Sequence, residues 1–134
     1  MKIIGGRITS AQAEKLEGGT FNGIEHSIRI LEVEDSGKSI RVTYENVMTY
    51  KNDFATLSVK GFVEAELDSK EKKKSLDEWK EKKQLPLDLA EELLPAINYA
   101  SGTVGTLLAF AINVNAPLNI PRSRIMPKKE ENAS

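Results

Sequence analysis

Leu57-Ser58-Val59-Lys60-Gly61-Phe62-Val63-Glu64-Ala65-Glu66-Leu67 keeps Leu57, Val59, Gly61, Val63, Ala65 and Leu67 on one side of a period-two alternation. That period marks a β-strand with one face toward a core, and the run is longer than most strands. Gly61 at its middle predicts a bulge or a sharp bend, because glycine otherwise weakens a strand interior. Upstream the same period returns. Ile40, Val42 and Tyr44 alternate with Arg41, Thr43 and Glu45, and Val47 to Tyr50 extend this strand past an irregularity expected at Asn46. Ile24, His26, Ile28 and Ile30 alternate with Glu25, Ser27 and Arg29, and the break at Leu31 and Val33 predicts a bulge or a face shared between subunits. Glu34 to Lys38 reads as a hairpin turn, with Asp35 and Gly37 able to adopt its dihedrals, and Lys51-Asn52-Asp53 as the next turn. Ile3 to Thr9, with Thr20 to Gly23 as a possible continuation, completes an antiparallel four-stranded sheet, a meander, after a polar excursion from Ser10 to Gly19.

Beyond Asp68 the pattern changes. Lys70 to Lys83 holds seven lysines among Glu71, Asp77, Glu78 and Glu81, with Leu76 and Trp79 three apart as its apolar face. This predicts a short solvated helix with spaced ion pairs. Leu85 to Asp88 stops it, Asp88 is the expected cap of a second helix, and apolar residues from Leu89 to Ala111 recur at helical spacing. Pro95 is expected to interrupt or restart that helix. Ser101, Gly102, Gly105 and Ala109, with Leu108 beside them, place small side chains on successive turns of a segment apolar on more than one side. Either the helix is deeply buried within one chain or these five residues form a homo-oligomer interface. The fold class is therefore α+β: the four-stranded sheet with a short charged helix and a long apolar helix packed on one side. Residues 1–127 form one domain, extended through Pro117 to Pro121, and 128–134 a charged tail.

Composition excludes several kinds of function. The chain has 134 residues, 40% hydrophobic and 29% charged, enough for a core without disulfides or structural metal. A formal charge of -1 removes the global attraction on which nucleic-acid binding relies, so no nucleic-acid partner is expected. No cysteine and the single histidine His26 leave no zinc cluster and no cysteine nucleophile. No serine is singled out for a triad around His26 and no carboxylate pair is placed by spacing, so the expectation is a non-enzyme without cofactor. Gly37-Lys38-Ser39 lacks the earlier glycine of a phosphate loop, Glu32 standing there, and Gly18 to Gly23 lacks its lysine and hydroxyl. Glu32, Glu34 and Asp35 read as a solvated face beside a turn in preference to a divalent-metal site. No signal-length apolar run follows the first residues, and Val104 to Val114 is too short to span a bilayer, so a cytoplasmic protein without stable membrane insertion is expected.

The order of these elements, with Phe54 to Val63, Leu93-Leu94-Pro95 and Pro117-Leu118-Asn119-Ile120-Pro121, resembles the SecB export chaperones and SecB-like proteins from about Ile24 to Ile125. The resemblance implies an antiparallel four-stranded sheet with helices on one side, assembly as a dimer of dimers, and binding of unfolded polypeptides along apolar grooves without chemistry. It does not extend to the family's acidic charge or to its zinc-binding tail, since residues 128–134 have neither Cys nor His. The expected function is an ATP-independent holdase for unfolded or preprotein segments, in a dimer or tetramer, with Phe62, Leu76, Trp79 and Phe110 as client-binding candidates. A scaffold of the same fold recognising one protein partner is the alternative.

Overall fold

The computed structural model describes residues 1–16, 23–51, 54–115 and 117. Four strands, β1 (Lys2–Lys15), β2 (Ile24–Ser36), β3 (Ser39–Tyr50) and β4 (Ala55–Glu66), precede two helices, α1 (Ser69–Lys82) and α2 (Leu87–Ala111). The strands form one antiparallel sheet in the order β1-β4-β3-β2. The meander thus runs from β2 to β4, and β1 joins at the far edge, beside β4. The fold is α+β, with both helices on one face of the sheet.

Alternation in the two central strands places Ile40, Val42, Tyr44, Asn46, Met48 and Tyr50 of β3 on the inner face with Ala55, Leu57, Val59, Gly61, Val63 and Ala65 of β4, all buried. The outer face carries Arg41, Glu45, Ser58 and Glu64 and is laced by Arg41–Glu64 at 2.8 Å and Arg29–Glu45 at 2.9 Å. One sheet face is dry and the other wet, as an antiparallel sheet permits.

Three departures from the sequence reading have local causes. Asn46 brings no irregularity to β3: its amide is buried on the inner face and donates from Nδ2 to Ser101 Oγ at 2.8 Å, while Ser101 Oγ donates to the Ile97 carbonyl at 2.6 Å. A polar residue can hold a core position once it has such a partner. β1 continues through Ser10 to Lys15, because β4 offers it a partner backbone along its whole length. The rest of the expected excursion, Glu17 to Gly19, lies outside the described residues, as do Thr20 to Asn22 of the possible continuation and Asn52 and Asp53 of the second turn. Pro95 leaves α2 unbroken: it and Glu91, whose carbonyl it cannot reach with an N–H, are both exposed, so water can serve that carbonyl. The cap of α2 is Pro86, and Asp88 accepts the Leu89 N–H within the first turn.

Other expectations are met. The bulge in β2 falls at Leu31, between Ile30 paired with Tyr44 and Glu32 paired with Thr43. It shifts the face of the strand by one residue, so that Val33 and not Glu32 enters the core. Asp35 accepts the Gly37 N–H at 3.1 Å in the hairpin turn, where Gly37 has φ 79°. Asp68 caps α1 by accepting the Glu71 N–H at 2.7 Å, and Lys83 closes it in a left-handed conformation.

Gly61 shows how closely neighbouring strands and side chains crowd the sheet. The bulge of this region sits opposite it in β1, at Thr9, and a Cβ on Gly61 would lie 2.5 Å from the Arg7 carbonyl and 3.0 Å from the Tyr44 hydroxyl. Substitution Gly61→Ala is expected to cost about 1–3 kcal/mol, because backbone must move to admit the methyl. Urea unfolding measures this, and an unchanged midpoint would mean that β1 shifts freely.

Candidate functional site

The core divides in two along α2. Its first half sets Leu89, Leu93 and Ile97 against Val42, Tyr44 and Val63, joined by Trp79 of α1. Its second half sets Ala109, with Val104 and Leu108, against Met48, Leu57 and Val59. Asn46 and Ser101 hydrogen-bond at the crossing between them, and Asn46 Oδ1 accepts no bond from the described residues. One helix is about 10 Å wide, whereas four strands about 4.8 Å apart present a broader face, so one helix cannot cover the sheet. α1 packs on the β2 side, and the join between the two helices is incomplete.

That join is a groove of about 510 Å³, lined by Ile28, Ile30, Trp79, Leu85, Leu94 and Ile97. Arg29, Lys83 and Glu91 stand at its rim. Leu87, 75% exposed, and Leu94, 44% exposed, extend its apolar wall into solvent. Arg29 is committed to Glu45, whereas Glu91 makes no ion pair with a described residue.

The wall at Trp79 is held by two contacts, one of them buttressed in turn. Its Nε1–H donates to Glu32 Oε1 at 2.9 Å, and the same oxygen accepts the Val33 N–H at 3.1 Å. The Lys83 ammonium lies 5.4 Å from the ring centroid, within the range of a cation–π contact. These contacts, the Trp79 hydrogen bond foremost, hold the Glu32 carboxyl below its ordinary range. At the other end of α1, Lys72 reaches Asp35 at 2.5 Å and donates to the Gly37 carbonyl, and the Lys72 hydrogen bond depresses Asp35 in turn. The carboxylates read as a possible metal set are therefore divided, Glu32 to Trp79 and Asp35 to Lys72. The helix is fastened to the hairpin at both ends.

A second apolar feature lies on the solvent side of α2. Tyr99, Leu107 and Phe110 are 80%, 65% and 65% exposed, and with Thr103 they fall at i, i+8, i+11 and i+4, one continuous stripe. Compared with protein-family models, curated proteins and solved structures, the chain matches none of them.

The residues singled out from sequence are dispersed. Trp79 lines the groove, with Leu76 half-buried against the same core cluster. Phe62 lies on the opposite, outer face of the sheet with the Arg41 guanidinium 4.0 Å from its ring centroid, and Phe110 belongs to the stripe on α2. They do not form one site. Ser101, Gly102, Gly105 and Ala109 are buried within the single chain, and Leu108 is half-buried beside them. Of the two readings of these small residues, the structure gives close packing of α2 on its own sheet: a Cβ on Gly105 would meet Met48 Sδ at 2.8 Å and Pro117 Cγ at 3.1 Å. The groove residues Ile28, Ile30, Leu85, Leu87 and Leu94 were not picked out. The available signal was the pair Leu87 and Leu94, seven apart and set off from the Leu89-Leu93-Ile97 stripe.

Because Glu32 is depressed by a bond that exists only in the folded state, anchoring of Trp79 is complete above the ordinary glutamate range and is lost as pH falls through the lowered value. Trp79 is the only tryptophan, so its emission reports this directly. A red shift on acidification is expected in the native chain and should be absent in Glu32→Gln, which keeps an acceptor that does not titrate. Identical profiles for the two proteins would disprove the anchor.

Proposed function

We propose that the protein is a SecB-like, ATP-independent holdase that takes extended apolar segments of unfolded polypeptides into the groove between β2, α1 and α2. The observation that carries this reading is the groove itself, apolar along its floor and walls, mixed in charge at its rim, and open to solvent beside a sheet edge. Its volume lies in the range of roughly 300–1,000 Å³ usual for ligand clefts. The family resemblance of the sequence and the α+β fold point the same way.

The energetics suit transient capture. Burying two or three Leu-sized client side chains contributes roughly 3–9 kcal/mol, and association costs roughly 4 kcal/mol or more, so one groove binds weakly. Useful retention comes from several grooves acting on one chain. The stripe of Tyr99, Leu107 and Phe110 is the face on which copies would assemble, giving a dimer or tetramer. That stripe also favours the second reading, a scaffold of the same fold that docks one folded protein through a helix face.

Stoichiometric protein is expected to slow the aggregation of a chemically denatured client, measured by light scattering without nucleotide. Leu94→Asp, at an exposed position, should leave the unfolding midpoint nearly unchanged and weaken client binding about tenfold or more. Unslowed aggregation with the native protein would reject the holdase, and full activity of Leu94→Asp would reject the groove as its site. Retention of a single folded partner, lost on Phe110→Asp and not on Leu94→Asp, would select the scaffold.

A further inference from the structure

We propose that α1 is a hinged cover, released from β2 separately from the rest of the fold, and that its opening sets the width of the groove. What the opening does for a client rests on the holdase reading, whereas the hinge stands on the way α1 is attached.

The bonds that define α1 are made within residues 68–83. Asp68 accepts the Glu71 N–H on its side chain and the Lys72 N–H on its carbonyl, and at the other end the Lys83 N–H donates to the Trp79 carbonyl at 2.9 Å. Ser75 Oγ donates to the Glu71 carbonyl at 2.8 Å, and Lys73 pairs with Asp77 at 3.1 Å. Among the described residues no backbone hydrogen bond joins α1 to the sheet or to α2. The helix can leave β2 without breaking a bond of its own.

Side chains alone hold it down. Lys72 reaches Asp35 and the Gly37 carbonyl, Trp79 donates to Glu32, and of the 14 residues of α1 only Ser75 and Trp79 are buried, with Leu76 half-buried. Both attachments end on one hairpin, Glu32 just past the bulge at Leu31 and Asp35 and Gly37 in the turn. α2, by contrast, buries Leu89, Leu93 and Ile97 and sets Gly105 against Met48. An element with so little buried apolar surface belongs to the low-stability end of a fold, so α1 opens before the core does. Its two connections suit a hinge. Leu67 and Asp68 lead in, and Lys83, left-handed at φ 55°, and the exposed Gln84 lead out, short element-terminal positions of the kind that absorb a change of direction. Trp79 is the part of α1 that walls the groove, so an outward swing carries it away from Ile28 and Ile30 and joins the surface over Val33 to the 510 Å³ already open. An occupant that prefers the wider form draws the equilibrium toward it, and in its absence Glu32 and Asp35 recover the helix.

Amide hydrogen exchange and acrylamide quenching of Trp79, the only tryptophan, read the hinge directly. In the native chain the α1 amides are expected to exchange at least tenfold faster than those of β3 and β4. Lys72→Ala should speed both α1 exchange and Trp79 quenching at least threefold and leave β3 and β4 unchanged. The chain has no cysteine, so Asp35→Cys with Lys72→Cys can be joined within one chain by a short bis-maleimide, which should slow both readouts at least threefold. Exchange of α1 at the rate of the core strands, or α1 rates indifferent to both the loosened and the joined chains, would overturn the hinge. These readouts involve no client, so a hinge that opens in a protein without aggregation control fails only the holdase. On the holdase reading the joined chain should capture a denatured client at least threefold more weakly, and capture indifferent to the crosslink would overturn the cover and leave the holdase standing.

Discussion

The inner face shared by β3 and β4 is the constraint on which the rest of the molecule depends. Six alternating positions on each strand are removed from water, and among the described residues the two helices, with Val114 and Pro117 beyond them, cover most of that face. Burial of each large side chain contributes roughly 1.5–3 kcal/mol, so the demand for cover outweighs any local preference of α2. That helix accordingly runs unbroken past a proline and accepts two glycines, each of which costs roughly 1 kcal/mol in isolation. Gly105 and Ser101 are the concessions that let it come down onto Met48 and Asn46.

The groove follows from the same demand. A single helix packed chiefly over β4 and β1 and reaching β3 leaves the β2 side to a second helix. The second helix is short, mostly charged, and held at its ends by Lys72 and Trp79. What the two fail to cover is apolar because β2 alternates like its neighbours, with Ile28 and Ile30 facing inward. The site is thus an unclosed part of the core and not a decoration added to a finished fold.

This explains what could be read from the sequence. The strands, the hairpin turn, the bulge at Leu31 and the charged helix were legible because each rests on a local period or a local turn chemistry. Asn46 was read as a break because a polar residue within an alternating run carries no sign of a partner 55 positions away, and Ser101 is that partner. Phe62 and Phe110 are client-binding candidates by sequence as exposed apolar side chains, but strand parity puts the first on the outer face and helical phase puts the second away from the groove. Ile28 and Ile30 read as ordinary inward residues of a strand, since nothing local shows where a covering layer will stop, and only the offset of Leu87 and Leu94 from the Leu89-Leu93-Ile97 stripe hints at it.

The placement of β1 has a consequence for how the chain is made. Its first strand pairs with its fourth, Lys2 lying opposite Glu66, so β1 has no partner strand until β4 has been made. Contacts of such long separation slow folding, and a waiting strand offers its backbone to strangers in the interval.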